Sequence, residues 1–285
     1  MPSAPLSAGV KLSLRAAGVT LITVGIAREY LRSWQHRDSS SMGDMESAEA
    51  SLLSPTEIMK KEGYYIKKKL LSSSQIQAIV SNLSKPAETA GGVEGAPRVT
   101  PPGKVVSKGR LHFNMLNSAF AESEEIKQLI ADQILPIAVA ELRLSDDQLM
   151  MTEVQIVNSQ PGSDIQIWHA DNSHRGITVL IPLVDFTEKN GPTELIAGSH
   201  DLPTNIWGGL SFARPLVLAG DGLVADARLL HRGGANESAT SRPILVIRFD
   251  DKKTQPPGMT TVGATARYCF AMTFMFTDFI LHYGK

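Results

Sequence analysis

Two histidines, one aspartate and one arginine stand in order between Gln166 and Arg242. His169 and Asp171 lie in Trp168-His169-Ala170-Asp171, His231 opens His231-Arg232-Gly233-Gly234-Ala235-Asn236, and Arg242 follows eleven residues later. His169 and Asp171 end an apolar run that reads as a strand, where residues i and i+2 project from one face, so a single strand presents both to the same point. Two imidazoles and one carboxylate on one face of an octahedron leave three positions open, the arrangement that non-haem Fe(II) oxygenases use. A zinc hydrolase could use the same three ligands. Arg242 tips the choice, because its planar fork of donors suits bidentate binding of a carboxylate held at a fixed distance from the metal. Fe(II), Asp171, Arg242 and a doubly charged 2-oxo acid such as 2-oxoglutarate together sum to zero charge. A second His-x-Asp, His36-Arg37-Asp38, sits in a polar leader and shows how little the triplet means without its context.

The elements that must position these residues come from hydrophobic patterning. Short apolar runs separated by turn residues predict strands at Val154–Asn158, Ile165–Trp168, Gly176–Val184, Thr193–Ala197, Leu216–Leu218, Leu223–Ala225 and Ile244–Phe249, with a further strand at Arg110–Leu116. His231 then follows a turn and a strand, which can bring it across the fold to meet His169 and Asp171. Upstream, Ser54-Pro55-Thr56-Glu57 combines an N-cap, a helix-opening proline and a capping-box glutamate. It predicts a helix to about Glu62 that stops at Gly63. A second helix starts in Ser72–Ser74 and ends at Pro86, and a third spans Glu122–Leu142 with an interruption at Pro136. Helices followed by many short strands predict a mainly β fold with flanking helices, a double-stranded β-helix (jelly-roll, cupin-like) core.

These motifs carry a resemblance. His169-Ala170-Asp171, the run Asn190-Gly191-Pro192 to Gly198-Ser199-His200, Gly220-Asp221 leading to His231-Arg232-Gly233-Gly234-Ala235-Asn236, and Arg242 resemble the phytanoyl-CoA dioxygenase family of Fe(II)/2-oxoglutarate oxygenases. Glu62-Gly63-Tyr64-Tyr65 resembles that family's opening, and the likeness covers about residues 50 to 250. The resemblance implies iron held by His169, Asp171 and His231 as the catalytic ligands. It implies Arg242 on the distal carboxylate of the cosubstrate 2-oxoglutarate, and hydroxylation of a small organic or lipid-like substrate by O₂ with release of succinate and CO₂. Related halogenases carry a small residue where Asp171 stands, so hydroxylation is favoured over halogenation. Family members often have a hydroxyl residue two positions after the distal histidine, whereas this chain has Gly233, which puts one polar contact to the cosubstrate in doubt. His200 reads as a turn residue, His112 as structural, His174 as structural or bordering the pocket through its nearness to Asp171, and Trp168 as core. The alternatives are a non-catalytic jelly-roll ligand-binding protein, which loss of a triad member would have favoured, and a protein hydroxylase of the same fold.

Composition agrees with this chemistry. A net charge of -1 offers no field for nucleic acid, so a polyanion partner is disfavoured. Cys269 is the only cysteine, which excludes an intrachain disulfide and a thiolate zinc cage and fits a reducing, intracellular compartment. The chain divides into a leader, 1–49, an oxygenase domain, 50–251, and a linker with an apolar tail, 252–285. Arg15, Arg28, Arg32 and Arg37 among serines and alanines give the leader the make-up of a mitochondrial or plastid transit peptide, and the uncharged run Ala16–Ala27 is too short to span a bilayer. The Gly- and Pro-rich stretch from Pro86 to Gly103 reads as a lid. The tail from Ala266 to Tyr283 is expected to pack on the domain or to touch a partner or a membrane.

Overall fold

Ser54 starts the first helix as its sequence predicts. In the computed structural model, which describes residues 53–84, 104–116, 118–166, 168–201 and 210–254, helix α1 spans Pro55–Glu62, with the Ser54 side chain and Glu57 capping one another's backbone amides. Gly63 ends it at φ 81, a left-handed conformation that glycine adopts without steric cost, and its N–H returns to the Met59 carbonyl. Strand β1 (Tyr64–Lys67) and helix α2 (Ser73–Ser84) follow. Strands β2 (Lys104–Ser107) and β3 (Arg110–Asn114) form a hairpin.

The third predicted helix is interrupted at Pro136, but not by a kink. Helix α3 (Glu124–Leu129) passes into a single π turn at Ile130–Ile134, and helix α4 (Leu135–Leu142) resumes with Pro136 in its first turn. A proline ring clashes with the carbonyl four residues before it and supplies no N–H. The wider π turn lets Leu135 N–H reach back to the Ile130 carbonyl, so the chain absorbs the proline as a local bulge.

The remaining strands are β4 (Leu149–Ser159), β5 (Gly176–Pro182), β6 (Thr193–Ala197), β7 (Ser211–Ala213), β8 (Gly222–Asp226), β9 (His231–Gly233) and β10 (Arg242–Asp251). They build two antiparallel sheets, one of seven strands in the order β1-β8-β5-β10-β4-β3-β2 and one of three in the order β7-β6-β9. This corrects the expected double-stranded β-helix. The fold is a mixed two-sheet α/β arrangement, and neither sheet closes into a barrel or jelly roll.

Two predicted strands fail, for identifiable reasons. Leu216–Leu218 follows Pro215, which lacks an amide for a ladder, and Leu216 and Leu218 remain exposed. The described residues of Ile165–Trp168 follow the Pro161-Gly162 turn and lie outside any strand. That segment meets the backbone of the small sheet through single contacts, Gln166 N–H to the Gly233 carbonyl and a two-residue bridge of His169 with His231.

Alternation along β10 divides the interior. Leu245, Ile247 and Phe249 face the helices, packing with Val154, Ile156, Val179, Ile134 and Ala138, while Ile244 and Val246 face the other way with Val157, Leu180, Leu195 and Leu223. Each such side chain, fully buried, contributes roughly 1.5–3 kcal/mol. The large sheet is therefore a floor on whose second face, among the described residues, the small sheet packs and a site can lie.

No helix among the described residues is long and apolar enough to cross a membrane. The leader, the proposed lid from Pro86 to Gly103 and the tail from Ala266 lie outside the described residues.

Candidate metal centre

Backbone pairing brings the two histidines together. His169 N–H donates to the His231 carbonyl at 3.0 Å and His231 N–H donates to the His169 carbonyl at 2.9 Å. Their rings consequently sit side by side with centroids 4.4 Å apart. Asp171, two residues on, places Oδ1 at 3.6 Å from His231 Nε2. One ligand atom from each of the three residues lies within 4.8 Å of the other two, the only such group of histidine, cysteine or carboxylate ligands among the described residues.

Outer contacts orient two of these groups. The Leu229 carbonyl, which can only accept, lies 3.0 Å from His231 Nδ1, so that nitrogen carries the proton and Nε2 keeps its lone pair for a metal. The Thr178 hydroxyl donates to Asp171 Oδ2 at 2.7 Å, leaving Oδ1 turned toward the histidines. Burial opposes ionisation of Asp171, but His231, His169, Arg248 and the Thr178 hydroxyl outweigh it and hold the carboxyl below its usual range. Two imidazoles and a carboxylate converge, a donor set that fits a divalent ion. Thr178→Val is expected to weaken Fe(II) affinity by about 10- to 100-fold with little change in melting temperature, as measured by competitive metal titration.

Behind this cluster lies a second feature that the sequence only half disclosed. Ser159 on β4 is flanked by Arg110 on β3 and Arg242 on β10, each its direct cross-strand partner. Its one hydroxyl oxygen accepts from both, Arg242 Nη2 at 2.8 Å and Arg110 Nη1 at 2.5 Å. Arg110 Nη2 also donates to the carbonyls of Asp164 and Gly234. Among the described residues neither arginine is paired with a carboxylate, and Arg242 Nε, Arg242 Nη1 and Arg110 Nε have no hydrogen-bond partner. Phe186 lies against the Arg242 guanidinium, 5.2 Å from ring centroid to Cζ. Burial pulls Arg242 down to about 9, with Arg110 adding to the effect, and burial pulls Arg110 down to about 10. Arg242 is thus not an ordinary salt-bridged arginine. One cavity is lined by both arginines and by His169, Asp171 and His231.

Gly233 resolves the missing hydroxyl. A Cβ there would stand 2.6 Å from Arg110 Nη1 and 2.7 Å from Gln166 Oε1, so those two side chains take the space that a larger residue would need. Gln166 Oε1 accepts from Gly233 N–H at 2.8 Å, and Gln166 lines the same cavity as Thr193 and His112. Sequence reasoning missed Arg110, Ser159, Gln166 and Thr178. Arg110 and Gln166 carried a signal, a polar side chain at the start of a strand and another three residues before His169, but only the register shows that Arg110 and Arg242 share a neighbour.

The remaining candidates fall elsewhere. His200 lies in a 3-10 turn (Ser199–Asp201) near Gly63, as a turn residue. His174 caps the turn after Asp171 through its N–H to Asn172 Oδ1 and does not line the cavity. Trp168 is buried under the Arg232 guanidinium, 4.5 Å from its ring, with Phe212 edge-on, and is core. Asn236 ties the chain after His231 to the arginine pair, donating through Nδ2 to the Ser159 carbonyl at 2.9 Å.

The chain matches the family described as phytanoyl-CoA dioxygenase (PhyH) over residues 59–244. Dioxygenase cdmA of Talaromyces verruculosus is 24% identical over 211 residues, 67% of this chain and 70% of that enzyme. Among solved structures, the non-heme alpha ketoglutarate dependent epimerase SnoN from nogalamycin biosynthesis superposes with a TM-score of 0.53 at 19% identity, covering 71% of this chain and 84% of SnoN. AviO1 from Streptomyces viridochromogenes Tue57 does so with a TM-score of 0.54 at 21% identity, covering 76% of this chain and 100% of AviO1.

Proposed function

The chain belongs to the phytanoyl-CoA dioxygenase family of Fe(II)/2-oxoglutarate oxygenases, and from that premise we propose that His169, Asp171 and His231 hold its iron while Arg242 binds the distal carboxylate of 2-oxoglutarate. The observation that carries this reading is the arginine pair. Two buried guanidinium groups that share one serine and have no carboxylate partner among the described residues are costly to fold. Their placement is accounted for by a dianion that enters with the metal, and 2-oxoglutarate supplies two carboxylates. With Arg110 counted, the charges no longer cancel as they do with Arg242 alone, so the pocket holds a surplus of positive charge that strengthens its preference for a dianion.

Bound iron supplies the means of activating O₂ for substrate oxidation, coupled to conversion of 2-oxoglutarate to succinate and CO₂. The chain's own residues do the rest. Arg242 and Arg110 fix the cosubstrate's orientation, Thr178 and the Leu229 carbonyl fix the ligand atoms, and the apolar wall of Ile244, Val246 and Leu180 keeps water from the floor. The substrate is a small organic or lipid-like molecule, a reading supported by the dioxygenase and epimerase that the chain resembles. The arginine- and serine-rich first 40 residues support a mitochondrial or plastid address.

Purified protein given Fe(II), 2-oxoglutarate and O₂ should release succinate slowly even without its prime substrate, and chelation should stop it. Failure to bind either iron or 2-oxoglutarate would overturn the proposal.

A further inference from the structure

A second cavity, of about 370 Å³, opens on the other face of the large sheet. Its wall includes Asp226, which shares the helix-facing side of β8 with Val224, whereas the metal centre uses the opposite side of the floor. At its floor is Glu141, near the end of α4 and only 3% exposed. Glu141 Oε1 accepts from the Thr56 hydroxyl at 3.3 Å, and Tyr65 is close enough to act on the carboxyl's ionisation. Oε2 is buried and has no hydrogen-bond partner among the described residues. A buried acceptor left unmade costs the desolvation of that group, more when it is charged. Burial accordingly pushes the Glu141 carboxyl up, although Tyr65, Thr56, Arg175 and Arg143 all pull the other way.

Around this acceptor stand more basic side chains than acidic ones, with Asp201 and Asp226 the other carboxylates of the lining. Asp226 is fully engaged by Arg228, through Nε to Oδ1 at 2.8 Å and Nη2 to Oδ2 at 2.6 Å, so that pair cancels. Lys60, Arg143 and Arg175 remain on the exposed side of the cavity. Arg175 braces the wall by donating to the Glu141 backbone carbonyl at 2.5 Å. A ligand that answers this arrangement must bring a donor to the floor and negative charge to the opening.

We propose that this cavity is a binding site for a small zwitterion, an amino acid or amino-acid-like compound, with its ammonium on Glu141 Oε2 and its carboxylate on Arg143 and Arg175. An ammonium satisfies the unmade acceptor on the buried carboxyl. A carboxylate matches the planar donors of the two arginines. The site is separate from the metal centre and does not depend on the function assigned there.

The test is titration calorimetry on the full-length, iron-free protein with glycine, 4-aminobutyrate and 6-aminohexanoate, three zwitterions of increasing reach, beside acetate and ethylammonium as one-ended controls. Saturable binding of at least one zwitterion, tighter than either control, is expected. It should weaken roughly 10- to 100-fold in Glu141→Gln, which keeps the shape but turns a donor toward the ligand, and by a similar factor in the surface double variant Arg143→Ala/Arg175→Ala. Absence of saturation for all three zwitterions at millimolar concentration overturns the proposal. So does equal binding of the one-ended controls, or wild-type affinity in the double variant.

Discussion

Replacing His231 with alanine is expected to strip the protein of iron and reduce succinate formation to the iron-free background. His231 contributes one of three convergent ligand atoms, and its Nε2 is committed to that role by the Leu229 carbonyl on Nδ1. Loss of a group that merely supports a ligand costs about 10- to 100-fold in affinity, so loss of the ligand itself should exceed about 100-fold. The fold should survive, because the bridge that joins His169 to residue 231 is made by backbone atoms and needs no imidazole. Metal content by elemental analysis, with circular dichroism as the folding control, checks this. Wild-type iron content in the variant would remove His231 from the site.

Arg242→Met is expected to behave in a way that no structural arginine would. If the guanidinium served the fold, its removal would destabilise the protein. Here it is buried without a carboxylate, and burial pulls its pKa down to about 9. Between about pH 9 and its ordinary value the unfolded chain holds a proton that the fold resists, so stability rises with pH across that window. Below pH 9 both states are protonated and the penalty is present in full. At neutral pH a methionine of similar reach removes that penalty, so the melting temperature of the cosubstrate-free variant should equal or exceed that of the wild type. Cosubstrate binding should move the opposite way. Truncating one partner of a buried, hydrogen-bonded charge pair costs about 2–5 kcal/mol, so affinity for 2-oxoglutarate should fall roughly 30- to 4,000-fold while iron content stays the same. Thermal denaturation and 2-oxoglutarate titration of the same preparation read both effects. A destabilised variant that still binds 2-oxoglutarate normally would assign Arg242 to the fold.

Local chemistry was legible in the sequence wherever it depends on neighbours in the chain. The Ser54 cap, the stop at Gly63 and the strand Thr193–Ala197 appear where their residues place them, because caps, left-handed glycines and short apolar runs act over a few residues. His169, Asp171 and His231 were legible as a group. The strand expected ahead of His169 does not form, but a two-residue backbone bridge to His231 brings the three side chains together, and an apolar strand ahead of His231 gives it a route back. The sheet architecture was not legible. Whether a run of strands closes depends on register and on edge strands, and no short-range signal separates a strand from an apolar segment such as Leu216–Leu218. Strands β7 and β9, three residues each, are too short to announce themselves by alternation. Arg110 was read as the start of a strand and nothing more, since its meaning lies in standing opposite Ser159, 49 residues away, with Arg242 on the far side.

The central claim is that the histidine–aspartate cluster and the arginine pair form one centre for Fe(II) and 2-oxoglutarate. It is tested most directly by adding 2-oxoglutarate without oxygen to the Fe(II)-loaded protein and following visible absorption. A 2-oxo acid that chelates iron through its carboxylate and ketone oxygens produces a charge-transfer band. The account predicts that band at one equivalent of 2-oxoglutarate in the wild type, and only at far higher concentration in Arg242→Met. Iron-loaded wild-type protein that develops no band and binds no 2-oxoglutarate would contradict it.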